Sequence, residues 1–258
     1  MTKKVIFFDI DGTLLDHDKL LPKTAYDAVM ALKDQGHYIA IATGRAAFAF
    51  EDLRQQLGIE TYVSLNGQYV VHEGEVVYKN PLNYEGIKQL EQLSLEKKHP
   101  LVYLDAAGWQ TNTQANPYVE TAINSLKIDA PLVYDPQAYH KTDTYQALLF
   151  CEANEEKPYE KALEPFDFVR WHDYSVDVLP KGGSKAIGIK KLMEYLQVAD
   201  EHTYAFGDGL NDREMLQMIP NSVAMGNARE EVKTISKYVT TDVAEDGILN
   251  GIKLAGLL

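Results

Sequence analysis

VIFFDIDGTLLD, Val5 to Asp16, is the stretch on which the fold turns. Four apolar residues rich in β-formers run directly into two carboxylates two positions apart, Asp9 and Asp11, followed by Gly12 and Thr13. A short apolar run bounded by turn residues reads as a buried strand. The same segment carries its own control. Asp16-His17-Asp18 repeats the Asp-x-Asp spacing in a polar stretch with no strand before it. Spacing alone is therefore weak, and the preceding strand is what gives Asp9 and Asp11 their interest.

Outward from that strand, residues 1–66 alternate strand and helix. YIAIA (38–42) and YVSL (62–65) repeat the short apolar pattern, and residues 22–36 and 45–58 have helical periodicity ended by Gly36 and Gly58. Strands separated by helices imply a parallel sheet covered on both faces. After Asn66-Gly67 the pattern changes to a hairpin over 68–78, turning at Glu73-Gly74. Paired strands mixed with helices near 83–97, 117–126 and 155–163 then continue to about residue 180. From Ser184 the doubly wound pattern resumes, with helices over 184–197 and 245–256 and strands at TYAF (203–206), SVAM and YVT. The expected architecture is a doubly wound, Rossmann-like α/β core made of residues 1–81 and 183–258, interrupted by an inserted α+β domain over 82–182. Pro81 and Pro180-Lys181-Gly182-Gly183 suit the two linkers.

The net charge of −13 argues against a nucleic-acid or anionic-membrane surface, either of which needs basic patches. An anionic substrate would equally need a metal or local donors to overcome that field. The single cysteine, Cys151, lies in the apolar run ALLFC and reads as an inert core thiol, with no intrachain disulfide possible. No leader and no membrane-spanning run is visible, so a cytoplasmic location is expected. No obligate protein partner is evident.

In open α/β sheets ligands bind beyond the carboxyl ends of the strands. VIFF is followed there by Asp9, Asp11, Gly12 and Thr13. YIAIA is followed by Thr43, Gly44 and Arg45, and TYAF by Gly207, Asp208, Gly209, Asn211 and Asp212. One such loop would be only a turn; three of this composition favour a site. Asp9, Asp11, Asp208 and Asp212 would repel one another in a shared pocket. A hard divalent cation relieves that repulsion, and magnesium suits an all-oxygen set that leaves room for water and a phosphate. Zinc is disfavoured, because the seven histidines show no ligand spacing.

DIDGTLLD, ATGR, GGSKA and GDGLND resemble, in order, the four motifs of the haloacid dehalogenase (HAD) superfamily, and the insertion after the second motif is similar to the type IIB cap of its Cof-like phosphatases. The resemblance implies a Mg2+-dependent phosphatase of small phosphorylated metabolites, sugar phosphates or cofactor phosphates, working through an aspartyl-phosphate. It makes Asp9 the nucleophile and Asp11 the general acid and base. Magnesium ligands would be Asp9, Asp11 through its main-chain carbonyl, Asp208, and Asp212 directly or through water. Thr43 and Gly44 would bind phosphate, and Lys185 would neutralise charge on the transferring group.

Blander readings accompany each role. Thr43 could cap the following helix, although the phosphate role is preferred. Lys185 competes with Lys181 and is favoured because it follows Ser184, a plausible helix cap. Asn211 is either a cap or a phosphate-side donor, Arg45 a rim contact or ion-pair partner, and Asn66-Gly67 a turn or part of the site wall. Rival functions are a phosphomutase of the phosphomannomutase type and a non-catalytic phosphate-sensing regulator. A dehalogenase is disfavoured, since it does not need the acidic fourth motif. The inserted domain would close over the strand ends, exclude water and select the substrate.

Overall fold

The computed structural model describes residues 3–258. The apolar run of the first motif forms β1 (Val5–Phe8), and none of its four side chains reaches solvent. There follow α1 (Lys23–Asp34), β2 (Tyr38–Ala42), α2 (Glu51–Leu57), β3 (Tyr62–Ser64), β4 (Tyr69–His72) and β5 (Glu75–Lys79). The middle of the chain supplies α3 (Tyr84–Lys97), β6 (Leu101–Leu104), β7 (Trp109–Thr111), α4 (Pro117–Ser125), β8 (Val133–Tyr134), β9 (Gln146–Phe150), α5 (Lys157–Ala162), β10 (Phe166–His172) and β11 (Ser175–Pro180). The last part adds α6 (Lys185–Leu196), β12 (Thr203–Gly207), α7 (Arg213–Met218), β13 (Asn221–Ala224), α8 (Glu230–Lys233), β14 (Tyr238–Val239) and α9 (Gly247–Leu254). The chain divides into two units. One comprises the segments up to Gly44, Glu51–Tyr78 and Ser184–Leu258; the other comprises Arg45–Phe50 and Lys79–Gly183.

The first unit is an α/β fold on an eight-stranded sheet of order β14-β13-β12-β1-β2-β3-β4-β5. From β14 to β3 neighbouring strands are parallel, with β1 in the middle between β12 and β2. The hairpin at Glu73-Gly74 then adds β4 antiparallel to β3, with β5 outside it. Alternation along β1 sends Val5 and Phe7 to one face, in a cluster with Ile189 and Leu192 of α6 and Met215 and Leu216 of α7. Ile6 and Phe8 face the other way, where Phe8 stacks on Phe206 at 4.8 Å. Helix α9 packs against Phe206 there, and α1 packs against α9. With helices on both faces, the strand ends are the natural place for a site.

The helix expected over 45–58 is broken. Ala47–Phe50 forms a 3-10 turn and regular helix begins only at Glu51. Arg45 is the physical reason. Its guanidinium donates to the carbonyls of Ala49 at 3.2 Å and of Leu126 at 3.4 Å, and Phe48 meets Trp109 edge to face. These contacts tie the first turn to the second unit instead of to α2.

The second unit carries a six-stranded sheet of order β10-β11-β9-β6-β7-β8, antiparallel except at β7–β8. Ile87 and Leu90 of α3 and Tyr159 of α5 share a core with Tyr103, Leu149 and Val176 from its strands. Asn83 and Asn116 cap α3 and α4 by accepting main-chain N–H bonds. Cys151 is inside this core, where burial pushes its thiol up to about 11, as an inert thiol requires.

One turn decides whether α6 can reach the sheet. Leu65, Asn66 and Gly67 follow β3 with φ of 52°, 52° and 93°, three consecutive left-handed residues. A Cβ on Gly67 would stand 2.0 Å from the Ser184 carbonyl oxygen, which accepts the first main-chain bonds of α6. Gly67→Ala is therefore expected to lower stability by at least about 2 kcal/mol, from strain and collision together. Urea unfolding at neutral pH reads this directly, and an unchanged midpoint would contradict the close approach.

Candidate functional site

Asp9 sits one residue past β1 and prolongs its pairing, since its N–H donates to the Phe206 carbonyl at 3.0 Å. The side chain is buried, and its Oδ1 accepts a bond of 2.6 Å from Lys185 Nζ. Lys185 is the first residue of α6, is 1% exposed, and also donates to Asp212 Oδ1 at 2.7 Å. The other Asp212 oxygen accepts the N–H groups of Asp208 and Gly209 at 3.0 and 2.9 Å, so it turns the loop after β12 as well as facing the lysine. Asp9, Asp208 and Asp212 each offer one oxygen, all within 4.8 Å of one another. The loops after β1 and β12, side by side in the sheet, thus converge at the start of α6. Lys181, the competing lysine, pairs instead with Asp167 in the second unit.

The remaining candidates form a second line of loops. Thr43 is buried one residue past β2, with its N–H on the Val63 carbonyl and its own carbonyl accepting from Asn66 N–H at 3.1 Å. Asn66 Oδ1 accepts from Asn211 Nδ2 at 3.1 Å and lies 3.1 Å from where a Cβ of Gly44 would be. Asn66 therefore links Thr43 and Gly44 to Asn211. No side-chain cap bond from Ser184 to α6 is present. Asp11 Oδ1 accepts from Lys19 Nζ at 2.6 Å. The control pair behaves as a turn: Asp16 Oδ1 accepts the N–H groups of Asp18 and Leu20 at 2.9 Å each.

A sequence profile of haloacid dehalogenase-like hydrolases matches residues 6–252. The chain belongs to that family. It is 47% identical over 258 residues to YkrA of Bacillus subtilis (strain 168), with 100% of both chains covered. It is 30% identical over 281 residues to pyridoxal phosphate phosphatase YbhA of Escherichia coli (strain K12), covering 96% of this chain and 97% of that one. The solved structure of the HAD subclass IIB sugar phosphatase BT4131 superposes with a TM-score of 0.89 at 30% identity, over 99% of this chain and 100% of that one. The family match, with relatives named as phosphatases, makes the chain a phosphatase-type hydrolase.

Crowding of charge dominates the electrostatics of this HAD hydrolase. Burial, then Asp212, then Asp208 and Asp11 push the Asp9 carboxyl well above the ordinary carboxylate range, against the pull of Lys185. Burial and Asp212 likewise lift Asp208 to about 7, with Lys185 and the Thr13 hydroxyl opposing. Burial alone would lower Lys185, but Asp212 and Asp9 overcome it and hold the ammonium charged. One buried lysine thus faces three carboxylates, and a cation bound by them would remove the remaining repulsion.

Two neighbours of the site, Lys19 and Asn227, escaped sequence reading, and Thr13 was named there only as a strand-end residue. Thr13 Oγ1 donates to Asp208 Oδ1 at 3.3 Å, Lys19 pairs with Asp11, and Asn227 Nδ2 donates to Asp208 Oδ2 at 3.1 Å. Asn227 could have been found by extending the strand-end test to SVAM, whose following residues are Gly226 and Asn227. Lys19 left no signal, because φ of 63° at a lysine brings it back toward Asp11.

A folded-state pKa raised above the unfolded value of 3.8 means that the native protein keeps protons the unfolded chain has lost. Stability from Asp208 is thus full below about pH 4 and lost as pH rises through about 7. Metal-free protein should accordingly be more stable toward urea at pH 5 than at pH 8, by on the order of 2–4 kcal/mol, and divalent cation should remove most of that difference. A flat profile without metal would contradict the crowding.

Proposed function

We propose that this HAD hydrolase is a magnesium-dependent phosphatase of small phosphorylated metabolites, sugar phosphates or cofactor phosphates, acting through an aspartyl-phosphate on Asp9. The observation that carries the reading is the junction of Asp9, Lys185, Asp208 and Asp212 at the carboxyl ends of two adjacent parallel strands. The donor set fits magnesium: the cluster is all carboxylate, without imidazole or thiol. Asp9, Asp208, Asp212 and the main-chain carbonyl of Asp11 would hold the ion, Asp212 directly or through water. Bound there, magnesium would supply positive charge against the phosphoryl oxygens.

The chain's own groups then have separate tasks. An Asp9 carboxylate oxygen attacks phosphorus, the bond from phosphorus to the ester oxygen breaks, and Asp11 gives its proton to the departing alcohol. Asp11, now ionised, takes a proton from water as the water oxygen attacks the same phosphorus. The bond to Asp9 breaks and inorganic phosphate leaves, restoring Asp9 as a carboxylate and Asp11 as an acid. One carboxylate must stay ionised while its neighbour alternates, so two are needed in one loop. Lys185 neutralises charge on the transferring group, and the Thr43 hydroxyl, with Gly44 and Asn211, donates to its oxygens. The second unit, by this reading, selects the alcohol.

Hydrolysis of p-nitrophenyl phosphate tests the scheme. Activity should require magnesium, fall by at least about a thousandfold in Asp9→Asn, and fall about 10²- to 10⁴-fold in Asp11→Asn. Undiminished turnover by Asp9→Asn, or turnover in the presence of a chelator, would refute it. A panel of sugar and cofactor phosphates would then identify the substrate class.

A further inference from the structure

We infer that Asn227 is a positioning residue for the metal centre, its amide clamping the Asp208 carboxylate to the loop that carries Asp9 and Asp11. The inference rests on the magnesium reading above. Asn227 follows β13, the strand next to β12, and its amide has three partners that leave one orientation. Val243 N–H donates to Oδ1 at 3.0 Å. Nδ2 then faces the Gly12 carbonyl at 2.8 Å and Asp208 Oδ2 at 3.1 Å. A flipped amide would set an oxygen against the Gly12 carbonyl with no proton between them, and would turn its NH2 toward the Val243 N–H.

Both Asp208 oxygens are consequently held, Oδ1 by Thr13 and Oδ2 by Asn227. The fit allows no slack. A Cβ on Gly12, whose φ is +81°, would lie 2.4 Å from Asp208 Oδ2 and 3.1 Å from Asn227 Nδ2. Loops after three adjacent strands, β1, β12 and β13, therefore meet at a single side-chain amide. A ligand carboxylate free to rotate loses that freedom when an ion binds, whereas a pinned one has lost it already. Outer partners of metal ligands typically contribute 10- to 100-fold in affinity for this reason.

A residue that merely braced three loops would change stability and leave affinity alone. The test is calorimetric titration of magnesium chloride into metal-free full-length protein, comparing the parent with Asn227→Ala and Asn227→Ser, alongside urea unfolding of each. The expected result is a Kd for magnesium about 10- to 100-fold weaker in the variants. The magnesium concentration for half-maximal p-nitrophenyl phosphate turnover should rise by a similar factor, with kcat at saturating magnesium within a few-fold of the parent. Parental affinity in either folded variant overturns the inference even if its unfolding midpoint drops. Failure of both variants to fold would make Asn227 a brace and overturn it too. A parent that takes up no magnesium would instead sink the magnesium reading, and this inference with it.

Discussion

Lys185 sits between Asp9 and Asp212, and much of the first unit exists to keep it there. A buried ammonium without partners would be deprotonated, and buried carboxylates without a counter-charge would take up protons. Asp212 and Asp9 hold the ammonium charged, and the ammonium opposes, without cancelling, the rise that burial and crowding impose on Asp9. The lysine is at the first turn of α6, so its place depends on where that helix begins. That start depends in turn on Gly67, the position at which the backbone after β3 comes close to the Ser184 carbonyl. A left-handed glycine therefore sets the height of a buried charge.

The same economy of contacts runs through the other loops. Asp212 uses one oxygen for the lysine and the other for two main-chain N–H groups, so its charge both shapes the loop after β12 and balances the ammonium. Asn66 and Asn227 are neutral amides at the two flanks, one between Asn211 and Gly44, the other between Asp208 and Gly12. Amides suit these places, because they can bridge a donor and an acceptor without adding charge to a pocket already overfull of it.

Much of this was legible in the sequence, for a reason particular to parallel sheets. Their strands are continuous apolar runs, so the residues that break each run are the residues at the site edge. Asp9, Thr43 and Asp208 could be found that way, and the parallel core followed from the same pattern, whereas the hairpin over 68–78 was read from its turn at Glu73-Gly74. Long-range contacts were invisible. The helix expected from Arg45 is broken because that arginine finds the Leu126 carbonyl, 81 residues away. Asn227 drew no reading, since nothing local shows that its amide reaches Gly12, 215 residues earlier. Strand β8 is two residues long, too short to carry any periodicity.

The order of the strands has a consequence for biosynthesis. Strand β1 is translated before β2, which can pair with one of its edges soon afterwards. Its other edge belongs to β12, which emerges only after the whole inserted unit has been translated. Throughout that interval an entirely apolar strand presents unpaired main-chain groups, the kind of surface that invites wrong partners. The slow, aggregation-sensitive stage for this chain should thus be the wait for residue 203.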